Sequence, residues 1–260
     1  EFMKICEVTG WLEERYPCAY AEEWDNVGLL VGDDEREVSK IFLALDLTEE
    51  TLEQAIDFGA ELIVTHHPMI FSGVKKINNH SFIGRRILKL VSNGIAYYAM
   101  HTNYDILGMA KLSADYLMLQ GQKVLAVTAE REGRQEGLGR VGLLPREMTL
   151  GELAGLVKER LELPDVKVYG ELGKKVKTAA VCTGSGKSLI PDVLKAQVYV
   201  TGDIDHHTGI DAVADGLSII DAGHYGTEYI FAKAMKEELR QQFGQLEVEQ
   251  ARTKFPYTCI

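Results

Sequence analysis

Apolar positions along the chain fall into short continuous runs and longer stretches of helical spacing. A first helix is expected near Ile5–Arg15, and the run Ile41-Phe42-Leu43-Ala44-Leu45 reads as a strand. Thr48 can cap the next helix, with Glu49 and Glu50 placed to favour its dipole. Leu52, Ala55 and Ile56 form the stripe at i, i+3 and i+4, and Gly59 is the expected stop. Strand Leu62–Thr65 follows at once. Strand, helix and strand at this spacing predict a βαβ unit and a parallel sheet. A helix near Arg85–Ser92 should end at Asn93-Gly94, before a strand over Ile95–Met100. Glu130–Gly142 is polar and glycine-rich and reads as a loop or domain junction. Beyond it, Thr149–Leu161 reads as a helix and Lys177–Cys182 as a strand.

The second half repeats features of the first. Strand Ile41–Leu45, a helix and E-L-I-V-T-H-H can be laid against strand Thr178–Cys182, a helix near Ser188–Leu194 and Q-V-Y-V-T-G-D. Residues 93–105 (N-G-I-A-Y-Y-A-M-H-T-N-Y-D) align, with one gap, to residues 215–228 (D-G-L-S-I-I-D-A-G-H-Y-G-T-E). Each has a glycine, an apolar strand, then His-x-x-x-carboxylate. The expected architecture is therefore α/β, with two similar domains from an internal duplication, residues 3–130 and 131–260. Their mixed or parallel sheets would be flanked by helices, with a site in the cleft between domains.

Composition narrows the classes. At 260 residues, 46% hydrophobic and 26% charged, the chain has the make-up of a globular protein with a sizeable core. It lacks an apolar stretch near the roughly 20 residues of a membrane helix and a charged-then-apolar leader. Glu1-Phe2 before Met3 look like a cloning remnant. The formal charge of −11 argues against a nucleic-acid partner, since phosphate-backbone binding relies on clustered Lys and Arg. An anionic substrate would then need local compensation, for example from metal ions. Cys6, Cys18, Cys182 and Cys259 have no Cys-x-x-Cys spacing, which fits incidental thiols in a reducing cytoplasm.

Three polar clusters fall at the carboxyl ends of predicted strands: His66-His67, His101…Asp105 and His224…Glu228. Parallel sheets bind ligands outside those ends. Imidazole with carboxylate and no thiolate is the donor set of Zn, Fe, Mn or Co. His66, His67, Asp105, His224 and Glu228 exceed the three protein ligands of one open catalytic zinc, so two ions at ~3.5–4 Å use them more naturally. Adjacent residues of a strand point to opposite faces, so V-T-H-H-P needs a strand break, which Pro68 can supply.

Other stretches stay open at this level. In G-D-I-D-H-H (202–207), Asp203 and Asp205 can orient histidines, or the stretch can be a polar turn capping a helix near Asp211. Gly184-Ser185-Gly186-Lys187-Ser188 lacks the first glycine of a P-loop, where Val181 stands; a glycine-rich turn facing a phosphate or the shared cleft remains. In W-D-N-V-G-L-L-V-G (24–32), Trp24 and Asn26 suit anchors of a first strand, and Asp25 or Asn26 could touch substrate. Tyr104 and Tyr225, each beside a candidate ligand, fit packing or a hydrogen bond to substrate.

Taken in order, W-D-N-V-G-L, D-L-T-E-E-T, V-T-H-H-P-M-I-F, H-T-N-Y-D, G-D-I-D-H-H-T-G-I-D-A and D-A-G-H-Y-G-T-E resemble the Nif-three-like proteins, also named GTP cyclohydrolase 1 type 2 homologs. The resemblance spans Trp24 to Glu228. It implies two related α/β domains, a dinuclear centre of Zn2+, Fe2+ or Mn2+ held by His66, His67, Asp105, His224 and Glu228, with His101 close by, and a hexameric toroid. The long insert of some relatives has no room near 130–142. The family name implies a hydrolase acting on GTP or a related small molecule through metal-activated water, with His101 as proton shuttle. The alternative is a non-catalytic metal-binding toroid for metal buffering or for protein or nucleic-acid interaction.

Overall fold

A computed structural model of the chain describes residues 3–193, 195–258 and 260. Glu1, Phe2 and Cys259, which figure in the readings of a cloning remnant and of incidental thiols, lie outside the described residues, as does Leu194. Compactness divides the chain into two units: Glu1–Tyr104 with Tyr229–Lys254, and Asp105–Glu228 with Phe255–Ile260.

The first unit is built on strands β1 (Gly28–Val31), β2 (Lys40–Ala44), β3 (Leu62–Thr65), β4 (Ala96–Ala99) and β11 (Glu247–Gln250), in the order β1-β4-β3-β2-β11. β11, β2, β3 and β4 run parallel and β1 is antiparallel to β4. The expected parallel core is present, within a mixed sheet. Strands β3 and β4 are buried at every residue, which accounts for their continuous apolar runs: a parallel sheet covered on both faces has no polar side to show. Helix α1 spans Ile5–Arg15, α2 Glu49–Phe58, α3 Phe82–Ser92 and α10 Ile230–Gln242. The Thr48 hydroxyl accepts from Thr51 N, and Gly59 ends α2 in the left-handed region at φ +79°, a conformation glycine adopts without Cβ strain. Leu52 and Ala55 of α2 and Leu90 of α3 join Phe42, Ile63 and Tyr97 in one apolar cluster. Truncating the fully buried Leu52 to alanine would cost about 2–5 kcal/mol.

Pairings in this sheet bring three strand ends level. Ala44 stands opposite Thr65, and Thr65 opposite Ala99. The residues that follow, Asp46, His66-His67 and His101, therefore leave the sheet along one edge.

The second unit holds β5 (Gln120–Arg131), β6 (Arg134–Thr149), β7 (Lys167–Tyr169), β8 (Lys175–Ser185), β9 (Val198–Gly202) and β10 (Ser218–Asp221), in the order β5-β6-β8-β9-β10-β7. β8, β9 and β10 are parallel; β5, β6 and β7 pair antiparallel. Helix α6 (Leu150–Arg160) starts from Thr149, whose hydroxyl accepts from Glu152 N while the Glu152 carboxylate accepts from Thr149 N, a reciprocal cap. In each sheet three consecutive parallel strands are flanked, beyond the third, by an antiparallel strand.

One sequence expectation is corrected here. Glu130–Gly142 is not a loop. Residues 120–149 form a long hairpin whose tight turn is Glu132 (φ +52°) and Gly133 (φ +75°), two left-handed residues that match the twist of the strands they join. Polar composition here marks an exposed ribbon, and a Cβ on Gly142 would press on Gln120 O at 2.7 Å. β5 runs through residues 130–131, and residues 229–254 belong to the first compact unit as α10 and β11. The helix expected near Ser188–Leu194 is present as a tight helical turn (Lys187–Leu189) that continues into α7 (Ile190–Val193). Among the described residues no helix is long and apolar enough to cross a membrane.

Candidate metal centre

The two histidines of V-T-H-H-P meet because the strand breaks between them. Along a regular strand successive amides point to alternate sides. Here His66 N donates to Ala44 O and His67 N to Leu45 O, two successive amides turned toward the same neighbouring strand. The break is held by buried hydroxyls: Thr65 Oγ1 donates to His67 O at 2.8 Å, and Tyr97 Oη receives Met69 N at 2.8 Å. The rings end 5.0 Å apart, and His66 is fully buried.

Each ring in the first unit is fixed through its Nδ1. His66 Nδ1 donates to Met100 O at 3.0 Å, His67 Nδ1 to Asp46 Oδ1 at 2.8 Å and His101 Nδ1 to Asp25 Oδ1 at 3.0 Å. Carbonyl and carboxylate oxygens only accept, so Nδ1 of each ring carries a proton. One ligand atom from each of His66, His67 and His101 lies within 4.8 Å of the others. The Asp25 side chain is fully buried. Burial by itself would raise its carboxyl, but the hydrogen bonds from His101 Nδ1, Thr102 Oγ1 and Thr102 N outweigh burial and hold it below the ordinary carboxylate range.

In the second unit the ends of β8, β9 and β10 carry the remaining residues. Helix α9 is a single turn, His224–Glu228, which places the two side chains one above the other as i and i+4. His224 Nε2 lies 3.0 Å from Glu228 Oε2, and its Nδ1 2.8 Å from Asp203 Oδ2. The hydrogen bond to Glu228, reinforced by Asp203 and opposed by burial, pushes His224 up to about 9. A carboxylate oxygen of Asp105 lies within 4.8 Å of one on Glu228. Asp105 opens a wide helical turn, Asp105–Met109, a form of backbone enriched at functional sites.

Glycines let this end of the sheet close. Gly184 has φ +65°; a Cβ there would overlap Glu228 Oε1 and stand 3.1 Å from its Cδ. A Cβ on Gly202 would lie 2.6 Å from His224 N. Asp221 accepts from Gly223 N at 3.0 Å and pairs with Lys167, which sets the path into His224. The glycine-rich stretch 184–188 is thus a close-approach element beside Glu228.

Several open readings resolve. Asp203 orients His224, while Asp205 caps α8 (His206–Ala214) by accepting from Thr208 N; both alternatives for 202–207 hold, each for a different aspartate. His206 and His207 are exposed. Asn26 Nδ2 donates to Ile70 O. Tyr104 is buried with its ring 6.2 Å from His66, and Tyr225 packs on Phe255. Asp46 was missed from the sequence, although a carboxylate just past a strand end is the signal the histidines gave. Cys182 was missed as a neighbour: burial first, then Asp105 and Glu228, pushes its thiol up to about 12, so it stays protonated near neutrality and adds no thiolate to the donors. Imidazole nitrogens and carboxylate oxygens with oriented outer partners are a donor set that fits Zn, Fe or Mn.

Comparison with known proteins places these residues in a wider group. A family model described as Duf34/NIF3 (NGG1p interacting factor 3) matches residues 3–256. A protein of Clostridium perfringens named GTP cyclohydrolase 1 type 2 homolog is 34% identical over 242 residues, covering 92% of each chain. One of the same name from Streptomyces coelicolor is 36% identical, covering 93% of this chain and 88% of its own. Among solved structures, the Bacillus cereus protein related to NIF3 superposes with a TM-score of 0.93 at 26% identity over the whole of both chains. Reduced HcgD from Methanocaldococcus jannaschii gives 0.83 at 31% identity, over 97% of this chain and 99% of that one.

Proposed function

Since the chain belongs to the Duf34/NIF3 family, we propose that His66, His67, Asp105, His224 and Glu228 together hold two divalent transition-metal ions, Zn2+, Fe2+ or Mn2+, in a hydrolase acting on GTP or a related phosphorylated metabolite. The observation that carries this reading is the shared treatment of the rings. The three ligand histidines and the neighbouring His101 all have Nδ1 held by a carboxylate or a carbonyl, the arrangement that aims Nε2 at a metal or substrate. The shared arrangement of β2-β3-β4-β1 and β8-β9-β10-β7 within the two sheets supports an origin by duplication, with one set of donors from each copy.

The bound ions would supply Lewis acidity and a water acidic enough to attack near neutral pH. Two dications against the two ligand carboxylates leave positive charge to meet a phosphate, which a chain of net charge −11 otherwise lacks. Asp25 holds the His101 proton on Nδ1, so Nε2 can accept a proton from the attacking water and pass it to the leaving group. His66, fully buried, helps keep bulk water from the reacting atoms. The relatives' name supports GTP as the first substrate to try. We further propose assembly as a homohexamer in the cytoplasm.

Elemental analysis after metal-replete purification should give about two transition-metal ions per chain, removable by a chelator. Metal-loaded protein should release formate or phosphate from GTP or another nucleotide in a panel. Turnover that survives in both His66→Ala and Glu228→Ala would exclude this site as its source.

A further inference from the structure

The segment Trp24-Asp25-Asn26 is tied to its surroundings by three different contacts. Asp25 accepts from His101 and Thr102, Asn26 reaches across to Ile70 O at 2.6 Å, and Trp24 lies with its ring centroid 5.8 Å from that of His101, at 76°. Next to Ile70, Phe71 meets the same imidazole at 6.0 Å and 84°. The Asn26 bond therefore couples the two segments that carry these rings. Yet Trp24 is 62% exposed and Phe71 52%. Two large aromatic rings thus stand open to solvent on segments braced by hydrogen bonds, and both border one imidazole of the site.

We propose that Trp24 and Phe71 form a stacking platform for a planar heteroaromatic ring, holding it beside His101. This rests on the reading of the site as one that takes a nucleotide-like substrate. The chemistry follows from the rings themselves: any nucleobase has a π face, and stacking on aromatic side chains recognises it without needing hydrogen-bond complementarity. A rigid platform also spends little conformational entropy on binding. The polar part of the ligand is left for the histidine and carboxylate side, so the platform selects for a flat ring and not for phosphate.

The chain has two tryptophans, so Trp11→Phe leaves Trp24 as the sole indole reporter. Titrated with guanosine 5′-monophosphate, this variant should show saturable fluorescence quenching. Ribose 5-phosphate, which has the phosphate but no ring, should not quench. Phe71→Ala in the same background should weaken binding roughly 5- to 150-fold, the range set by loss of one stacking partner. Calorimetric titration of the unsubstituted chain against Phe71→Ala gives the same comparison without the reporter. Quenching that fails to saturate, or equal affinity with and without Phe71, overturns the proposal. It is also overturned if Trp24→Ala or Phe71→Ala changes the oligomeric state in light scattering while nucleotide affinity stays the same, since the rings would then be protein contacts. Binding that depends on Phe71 while no nucleotide is hydrolysed sustains the platform and sinks the hydrolase reading; hydrolysis with binding indifferent to Phe71 does the reverse.

Discussion

Replacing Gly184 by alanine isolates how tightly the second unit's proposed ligands are held. Two effects add. At φ +65° an L-residue pays about 1–2 kcal/mol for the left-handed backbone. The new methyl would also overlap Glu228 Oε1 and stand 3.1 Å from Cδ, inside the ~3.5–4.0 Å of ordinary carbon contact. Glu228 is 3% exposed, so its carboxylate has little room to swing aside, and repacking of that size costs typically 1–3 kcal/mol. The expected total is a loss of about 2–5 kcal/mol in urea melts of the metal-free protein. Metal affinity should fall as well, by roughly 10–100-fold, the usual penalty for disturbing a ligand's support. Gly121→Ala is the control: φ is +58° and nothing lies within 4 Å of the added Cβ, so it pays the backbone cost alone. Zinc titration with a competing chelator, run on both variants beside the parent, separates the terms. If Gly184→Ala binds zinc as tightly as Gly121→Ala, the glycine does not position Glu228 and the argument for a preformed carboxylate fails.

Further consequences can be measured on the same preparations. Asp25→Asn should destabilise by about 1–3 kcal/mol, as a buried hydrogen-bonded carboxylate is lost; because the folded Asp25 carboxyl is held below its unfolded value of ~3.9, its stabilisation is present above that pH and lost as pH falls below it, so the acid limb of stability from pH 2 to 6 should flatten in the variant. His224 is held up to about 9 in the metal-free protein; that contribution is complete below the unfolded value of ~6.5 and fades as pH rises through 9, and urea melts of His224→Asn should lack this alkaline decline. The same proton competes with a cation, so zinc affinity should rise with pH across this window, and a pH-independent affinity would remove His224 from the ligand set. With its thiol pushed up to about 12, Cys182 should resist iodoacetamide at pH 8 in the folded chain and react once unfolded; peptide mass spectrometry showing Cys182 labelled as fast as in urea would contradict the packing described.

Much of the architecture was legible because local rules agreed with the tertiary outcome. Largely apolar runs at Leu62–Thr65 and Leu217–Ile220 are what doubly covered parallel strands require, and Thr48, Gly59 and Thr149 mark helix ends with chemistry that works within four residues. The candidate ligands were legible for a related reason: a polar cluster directly after an apolar strand has to emerge at the sheet's edge. The hairpin of residues 120–149 was misread because exposed strands and loops share a polar, glycine-rich composition, and only pairing partners separated in sequence tell them apart.

What the chain decides by itself, then, is the set of covered parallel strands and that His66, His67, His101 and His224 each follow the carboxyl end of such a strand, since both follow from periodicity and nearest neighbours. Tertiary structure alone decided how those rings are aimed. His101 is turned by Asp25, 76 residues earlier; His67 by Asp46, 21 earlier; and Glu228 is confined by Gly184, 44 earlier in the chain. Such partners leave no local periodic trace, because a carboxylate that fixes an imidazole needs only to arrive within 3 Å of it in space.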